Sequence, residues 1–160
     1  MIIPEDEKFM RLAVQKTREG IAEGQTPFGA CIVAGDGLVI ACAHNVVWAT
    51  TDITAHGEVN TIREACRALK RIDLSGCTIY STTEPCPMCF SAIHWARIKR
   101  IVYGAAIADA QAAGFNELVI PNNVMKTEGQ SPVLIEGGCL REECVALFGE
   151  WKRSGKARTY

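Results

Sequence analysis

Two short stretches of this 160-residue chain, His56-Gly57-Glu58 and Pro85-Cys86-Pro87-Met88-Cys89, carry side chains that could do chemistry together. They offer an imidazole, a carboxylate and two thiols. An imidazole with two thiolates fills three of the four tetrahedral positions of Zn2+, and an open fourth position separates a catalytic zinc from a structural one. The ligand charges of His56, Cys86 and Cys89 would cancel that of the ion. Zinc lowers the pKa of water from 15.7 to about 7, which makes a nucleophile available at neutral pH. Glu58 could take the proton from that water and deliver it to a ring nitrogen and a departing amine, which is general acid/base work. The chemistry expected is attack on an amidine-like ring carbon, a tetrahedral intermediate and release of ammonia.

Neither stretch is telling alone. H-x-E arises easily by accident, and P-C-x-x-C also marks redox or structural zinc sites. Both together, in this order and each opening a helix, point to hydrolysis. A structural zinc knuckle would need a fourth protein ligand. His94 lies five residues past Cys89 and should point away from the thiolate face, while His44 stays open as an alternative.

The elements that must position these residues read as follows. Residues 5–23 form an opening amphipathic helix, broken at Thr26-Pro27. Residues 28–34 and 38–43 form a hairpin around Gly35-Asp36-Gly37. Residues 44–54 read as a loop. From His56, Val59, Ile62, Cys66 and Leu69 recur at helical spacing, up to Lys70-Arg71. Then come a strand at 77–82, a helix at 87–96, a strand at 98–104 and a helix at 105–113, with a break at Gly114-Phe115. A surface loop is expected over 121–132, a short strand at 133–135 and a closing helix at 140–152. Alternating strands and helices predict an α/β layered fold with a partly parallel sheet, built as a single domain over 1–160. Helix N-termini at the two motifs favour thiolate over thiol.

Composition sets bounds on partners. A formal net charge of −1 offers no global attraction for nucleic acid or anionic membrane. Lys152, Arg153, Lys156 and Arg158 crowd the end of the chain and read as a solvated basic tail. No stretch is apolar enough for a membrane span, and the first residues do not read as a secretory signal. Cys31, Cys42 and Cys66 sit among apolar residues and read as free, small hydrophobes. Cys77, Cys139 and Cys144 read as structural, and a reducing cytoplasm is the compartment expected.

The quoted motifs resemble the cytidine deaminase superfamily, in its branch of purine, cytosine and tRNA-adenosine deaminases. The resemblance runs from Pro27-Phe28-Gly29-Ala30 through Asn45, Thr54-Ala55-His56-Gly57-Glu58 and Glu84-Pro85-Cys86-Pro87-Met88-Cys89 to Gly114-Phe115. Within the branch, Cys86 to Arg97, Tyr103-Gly104 and Gly114-Phe115 are most similar to the bacterial guanine and plant guanosine deaminases. Gly57 stands where the purine and tRNA enzymes usually have alanine.

The resemblance implies a three-layer α/β/α fold around a five-stranded mixed sheet. It also implies zinc on His56, Cys86 and Cys89, Glu58 as proton shuttle, and a homodimer that can exchange its C-terminal helix. It assigns substrate contacts to Asn45, Ala55, Phe28, Trp95, Glu117 and Tyr160. Glu117 would accept hydrogen bonds from the guanine N1–H and 2-amino group, a pattern adenine and cytosine do not offer; an exposed loop glutamate is the plainer alternative. Asn45 would bind the base or close a turn. Phe28 and Trp95 would wall the site or pack in the core, and Tyr160 would close the site or fray.

Guanine to xanthine plus ammonia is the reaction this favours. Guanosine, cytosine and ammeline remain competitors. A tRNA wobble adenosine would require cationic grooves for phosphates. A zinc-stabilised binding module without activity would have no need of Glu58.

Overall fold

The structure is a computed structural model and describes residues 1–160. Twelve elements follow one another: α1 (Pro4–Ala22), β1 (Gly29–Val33), β2 (Val39–His44), α2 (Val47–Thr50), α3 (Gly57–Leu69), β3 (Thr78–Thr83), α4 (Pro87–Trp95), β4 (Arg100–Ala105), α5 (Ile107–Ala113), α6 (Asn122–Glu128), β5 (Leu134–Gly137) and α7 (Arg141–Arg153). The five strands form one sheet in the order β2-β1-β3-β4-β5. β1 runs antiparallel to β2 and β3, whereas β3, β4 and β5 are mutually parallel. The sheet is therefore mixed, as expected.

Strand side chains alternate between faces, and this splits the core in two. Cys31, Val33, Tyr80 and Val102 face a cluster with Phe9, Met10, Ala13 and Val14 of α1 and Leu147 and Trp151 of α7. Ala30, Ile32, Ile79 and Ile101 face the other cluster, with Ala65 of α3 and Phe90 and Ile93 of α4. Strands β1, β3 and β4 are covered on both sides; β1 and the middle of β4 read as apolar runs, whereas β3 buries the hydroxyls of Ser81, Thr82 and Thr83. No helix is long and apolar enough to cross a membrane.

At the end of the sheet far from the two motifs, Asp6 is buried with the Arg100 guanidinium on it. Arg100 donates to both its oxygens, at 2.7 and 2.9 Å. Tyr80 Oη and the Ile3 N–H donate as well, at 2.9 and 2.8 Å. Burial works against the charge, but Arg100, Ile3 and Tyr80 prevail and hold the Asp6 carboxyl below the usual range. Arg100 also pairs with Glu136, which ties α1 to β4 and β5.

Three expectations need correction. Residues 121–132, read as a loop, contain α6; a seven-residue helix with only Val124 and Met125 as large apolar residues shows no usable periodicity. Residues 44–54 contain the single turn α2. Cys31 and Cys42, read as free, lie opposite each other in the β1–β2 register and are joined as a disulfide. The basic residues of the tail, Lys152, Arg153, Lys156 and Arg158, are exposed as expected; Lys156 Nζ donates to the Ala22 carbonyl at 2.8 Å and the Arg158 guanidinium lies 4.0 Å from the Trp48 ring centroid.

Candidate active site

His56 and Cys86 occupy equivalent places. Each is the extended residue just before a helix, with φ and ψ of −63° and 157° for His56 and −63° and 165° for Cys86. Pro87 follows Cys86 at the first helical position, where its missing N–H costs nothing. Cys89 then falls in the first turn of α4. Gly57 opens α3 hard against β1: a Cβ there would meet Gly29 Cα and the Phe28 carbonyl at 3.0 Å. A side chain there would require β1 to give by a few tenths of an ångström.

The two helix starts bring three ligand atoms together. Cys86 Sγ is 3.6 Å and Cys89 Sγ 3.5 Å from His56 Nδ1. With Zn–N near 2.05 Å and Zn–S near 2.3 Å, the N···S edge of a tetrahedron is about 3.6 Å, so the three donors fit zinc. No fourth protein ligand joins them. His94 Nδ1 pairs instead with Ser131 Oγ at 2.9 Å. His44 Nδ1 lies 2.7 Å from the Asn45 carbonyl oxygen and its Nε2 is 3.3 Å from Glu23, which removes the alternative left open above.

Glu58 is the second residue of α3 and is buried, 6% exposed, with Oε2 3.4 Å from Cys89 Sγ. Ser81 Oγ is 3.1 Å from Oε1 but only 2.6 Å from the Thr83 carbonyl. With the single serine hydrogen on the shorter contact, Ser81 Oγ can accept a hydrogen bond from a protonated Glu58. Burial, with the Cys86 sulfur adding to it, pushes the Glu58 carboxyl up. The Cys89 and His56 hydrogen bonds hold Cys86 down at about 4, and Cys89, donating to that thiolate, is raised. A dication among them would deprotonate both thiols.

A cavity of about 270 Å³ opens beside the three ligands, lined by Ile53, His56, Cys86, Phe115, Glu117 and Tyr160 among others. It is smaller than the ~300 Å³ at which drug-sized pockets begin and suits a small planar ring. A narrow recess continues from it past Phe28, Glu58, Thr83 and Glu84. Burial and the nearby Cys86 sulfur raise the Glu117 carboxyl to about 7.

The structure brings most of the expected residues to this place. Glu117 lines the cavity. Asn45 is fully buried, its Oδ1 accepting from the Val47 N–H at 3.0 Å and its Nδ2 donating to Tyr160 Oη at 2.8 Å. Tyr160 does not fray; its ring stands 5.7 Å from His56 and 5.9 Å from Phe115. Phe28 lies in the recess and against Phe115, ring to ring at 4.8 Å. Ala55 is buried beside His56, with its carbonyl accepting from Val46 N–H at 3.1 Å.

Trp95 is the exception. It is 82% exposed at the end of α4 and lines a separate surface groove with Ile72 and Leu134, so it is neither site wall nor core. Its place at the helix's last residue turns it away from the ligand-bearing first turn. Ser81, Ile53 and the Trp48–Arg158 stack were not picked out from sequence. Ser81 looks like any small residue in a strand, and the stack joins residues far apart in the chain.

Fold and site together define a hydrolytic nucleobase deaminase. A family model of the cytidine and deoxycytidylate deaminase zinc-binding region matches residues 3–105, and the chain belongs to that family. It is 38% identical over 155 residues to the guanine deaminase of Bacillus subtilis (strain 168), covering 96% of this chain and 98% of that one. It is 33% identical to the tRNA-specific adenosine deaminase of the same organism, covering 96% and 94% respectively. Among solved structures, guanine deaminase from Nitrosomonas europaea superposes with a TM-score of 0.85 at 29% identity, covering 96% of this chain and 86% of that one. Membership sets aside the inactive binding module.

Proposed function

We propose that the protein is a zinc-dependent guanine deaminase, one domain over 1–160, converting guanine and water to xanthine and ammonia. The observation that carries this reading is Glu117 in the same small cavity as His56 and Cys86. Guanine presents N1–H beside C2, the carbon attacked, and the 2-amino group on C2, which leaves as ammonia. A carboxylate beside the ligand set can accept from both, and a base lacking them would leave it unpaired in a buried place. The similarity to guanine deaminases over nearly the full chain supports the same substrate.

His56, Cys86 and Cys89 would hold the zinc, which supplies a Lewis acid and acidified water when bound. Glu58 takes a proton from water, hands it to the ring nitrogen beside the attacked carbon, and returns a proton to the leaving amine. Ser81 steadies its protonated form. Asn45, its amide closing a turn on the Val47 N–H, holds Tyr160 beside the ligand set, Phe28 and Phe115 limit the ring's freedom, and Ala55 backs His56. Tyr160 covers the opening and keeps bulk water out. A homodimer, in which the C-terminal helix can be exchanged, is the proposed assembly.

The test is ammonia release from guanine, guanosine, cytosine, ammeline and an anticodon stem-loop, each with and without a zinc chelator. Guanine should lead and the chelator should abolish it; cytosine or guanosine far ahead would sink the reading. A wobble-adenosine activity is favoured by the 33% identity to the tRNA enzyme. Against it, Tyr160 lines the cavity beside His56, and the net charge of −1 offers no general attraction for a polyanion. Tight, salt-sensitive binding of the stem-loop would reverse the ranking.

A further inference from the structure

Glu117 sits in a stretch that cannot hold itself in place. Between α5 and α6, residues 115–121 form neither helix nor strand. Within that stretch the backbone makes one internal hydrogen bond, from the Ile120 N–H to the Leu118 carbonyl at 2.8 Å. Phe115, at its first residue, is buried against Phe28 and Trp151, but beyond Glu117 the apolar side chains point outward, Leu118 at 65% and Val119 at 52% exposed. Where Glu117 stands is therefore decided at the two ends of the segment.

Both ends lead to one carboxylate. Glu84 is buried, 8% exposed, and follows β3 directly, with its own N–H donating to the Ala105 carbonyl at 2.8 Å. Its Oε1 accepts from the Asn122 N–H at 2.8 Å and its Oε2 from the Ile107 N–H at 3.3 Å. Ile107 and Asn122 are the first residues of α5 and α6, the helices that bracket the Glu117 segment. Asn122, fully buried, also donates from Nδ2 to the Pro85 carbonyl at 2.6 Å, one residue before Cys86. A carboxylate accepting two backbone N–H groups forms stronger bonds than a neutral acceptor would.

We infer that Glu84 is a positioning residue for substrate selection: its carboxylate staples α5 and α6 to the Pro85–Cys89 turn and so fixes Glu117 relative to the metal ligands. Glu84 touches no reacting atom. It acts by setting the span between the group that reads the base and the group that attacks it. The role of Glu117 in this inference rests on the guanine reading above, while the staple does not.

The test is Glu84→Gln. Glutamine must turn its amide NH2 towards one of the two N–H groups, so one bond is lost with little change in volume. The zinc-loaded variant should keep one zinc per chain and show faster hydrogen exchange at the Ile107 and Asn122 amides. The KM for guanine should rise about ten- to a hundredfold with kcat changing much less, since a 1 Å misplacement can cost a hundredfold. Should Glu84→Gln fail to fold, Asn122→Ala keeps the carboxylate and removes only the Pro85 bond, and its KM should rise in the same sense by a smaller factor. Unchanged amide exchange, or an unchanged KM in a folded variant, overturns the inference. If another base proves preferred, amide exchange still reads the staple, so the two failures are distinguishable.

Discussion

Tyr160 Oη lies 2.8 Å from Asn45 Nδ2, a hydrogen bond that spans almost the whole sequence and lies beside the metal ligands. It links the last side chain of the chain to a buried amide at the end of β2. Tyr160→Phe should therefore loosen the cover without emptying it. A lost hydrogen bond of about 1 kcal/mol predicts a KM for guanine raised roughly fivefold, with zinc content unaltered. Steady-state kinetics read this, and an unchanged KM would show that the cover is passive.

Glu58→Gln removes the proton carrier and leaves a side chain of the same shape. The expected result is a kcat lowered by about 10²–10⁴, with zinc stoichiometry and melting temperature close to the parent. Ammonia release at the parental rate from zinc-loaded variant would take the shuttle away from this residue.

Glu117→Gln tests base recognition. The neutral amide can accept one hydrogen bond but offers a donor where the carboxylate offered an acceptor. kcat/KM for guanine should fall by at least about a hundredfold, a loss expected when a buried polar site no longer matches its ligand. A competition assay across the base panel should show guanine losing its lead.

The Asp6–Arg100 pair makes acid stability predictable. The folded Asp6 carboxyl is held below its unfolded value near 3.9, so its stabilisation is complete above that pH and is lost as pH falls through the folded value. Thermal melts should show the difference between parent and Asp6→Ala shrinking below about pH 4. At neutral pH the variant should be about 3 kcal/mol less stable, because Tyr80 and part of Arg100 lose their partner.

Chelation should abolish activity and lower the melting temperature, since a ligand bound only by the folded form stabilises it by mass action. Cys89→Ser should do the same without chelator. A melting temperature indifferent to zinc would show that the three ligand atoms hold no metal in solution.

Much of the fold was legible because β1 and the middle of β4 are apolar runs and α1 and α3 carry clear helical spacing. The catalytic cluster was legible for a local reason: His56 and Glu58 share one helix start, and Cys86 and Cys89 share another. What stayed hidden depends on contacts between distant segments. Register alone placed Cys31 opposite Cys42. α6 was too short to show a period, so the tie from Asn122 to Glu84 had no local signal. Trp95 looked like a wall because its neighbours resemble those of known sites, yet its position on the helix turns it outward. Tyr160, a terminal residue that by default frays, is held by Asn45 and a flanking stack on Trp48.

The split of the donor set between two helices has a consequence for assembly. Cys86 and Cys89 are neighbours in the chain and can grip an ion before anything else has formed, whereas His56 reaches it only once α3 has settled against β1. An early-captured cation would therefore be held by two sulfurs with its remaining places wet. Full coordination, and with it a competent Glu58, would require the finished tertiary arrangement.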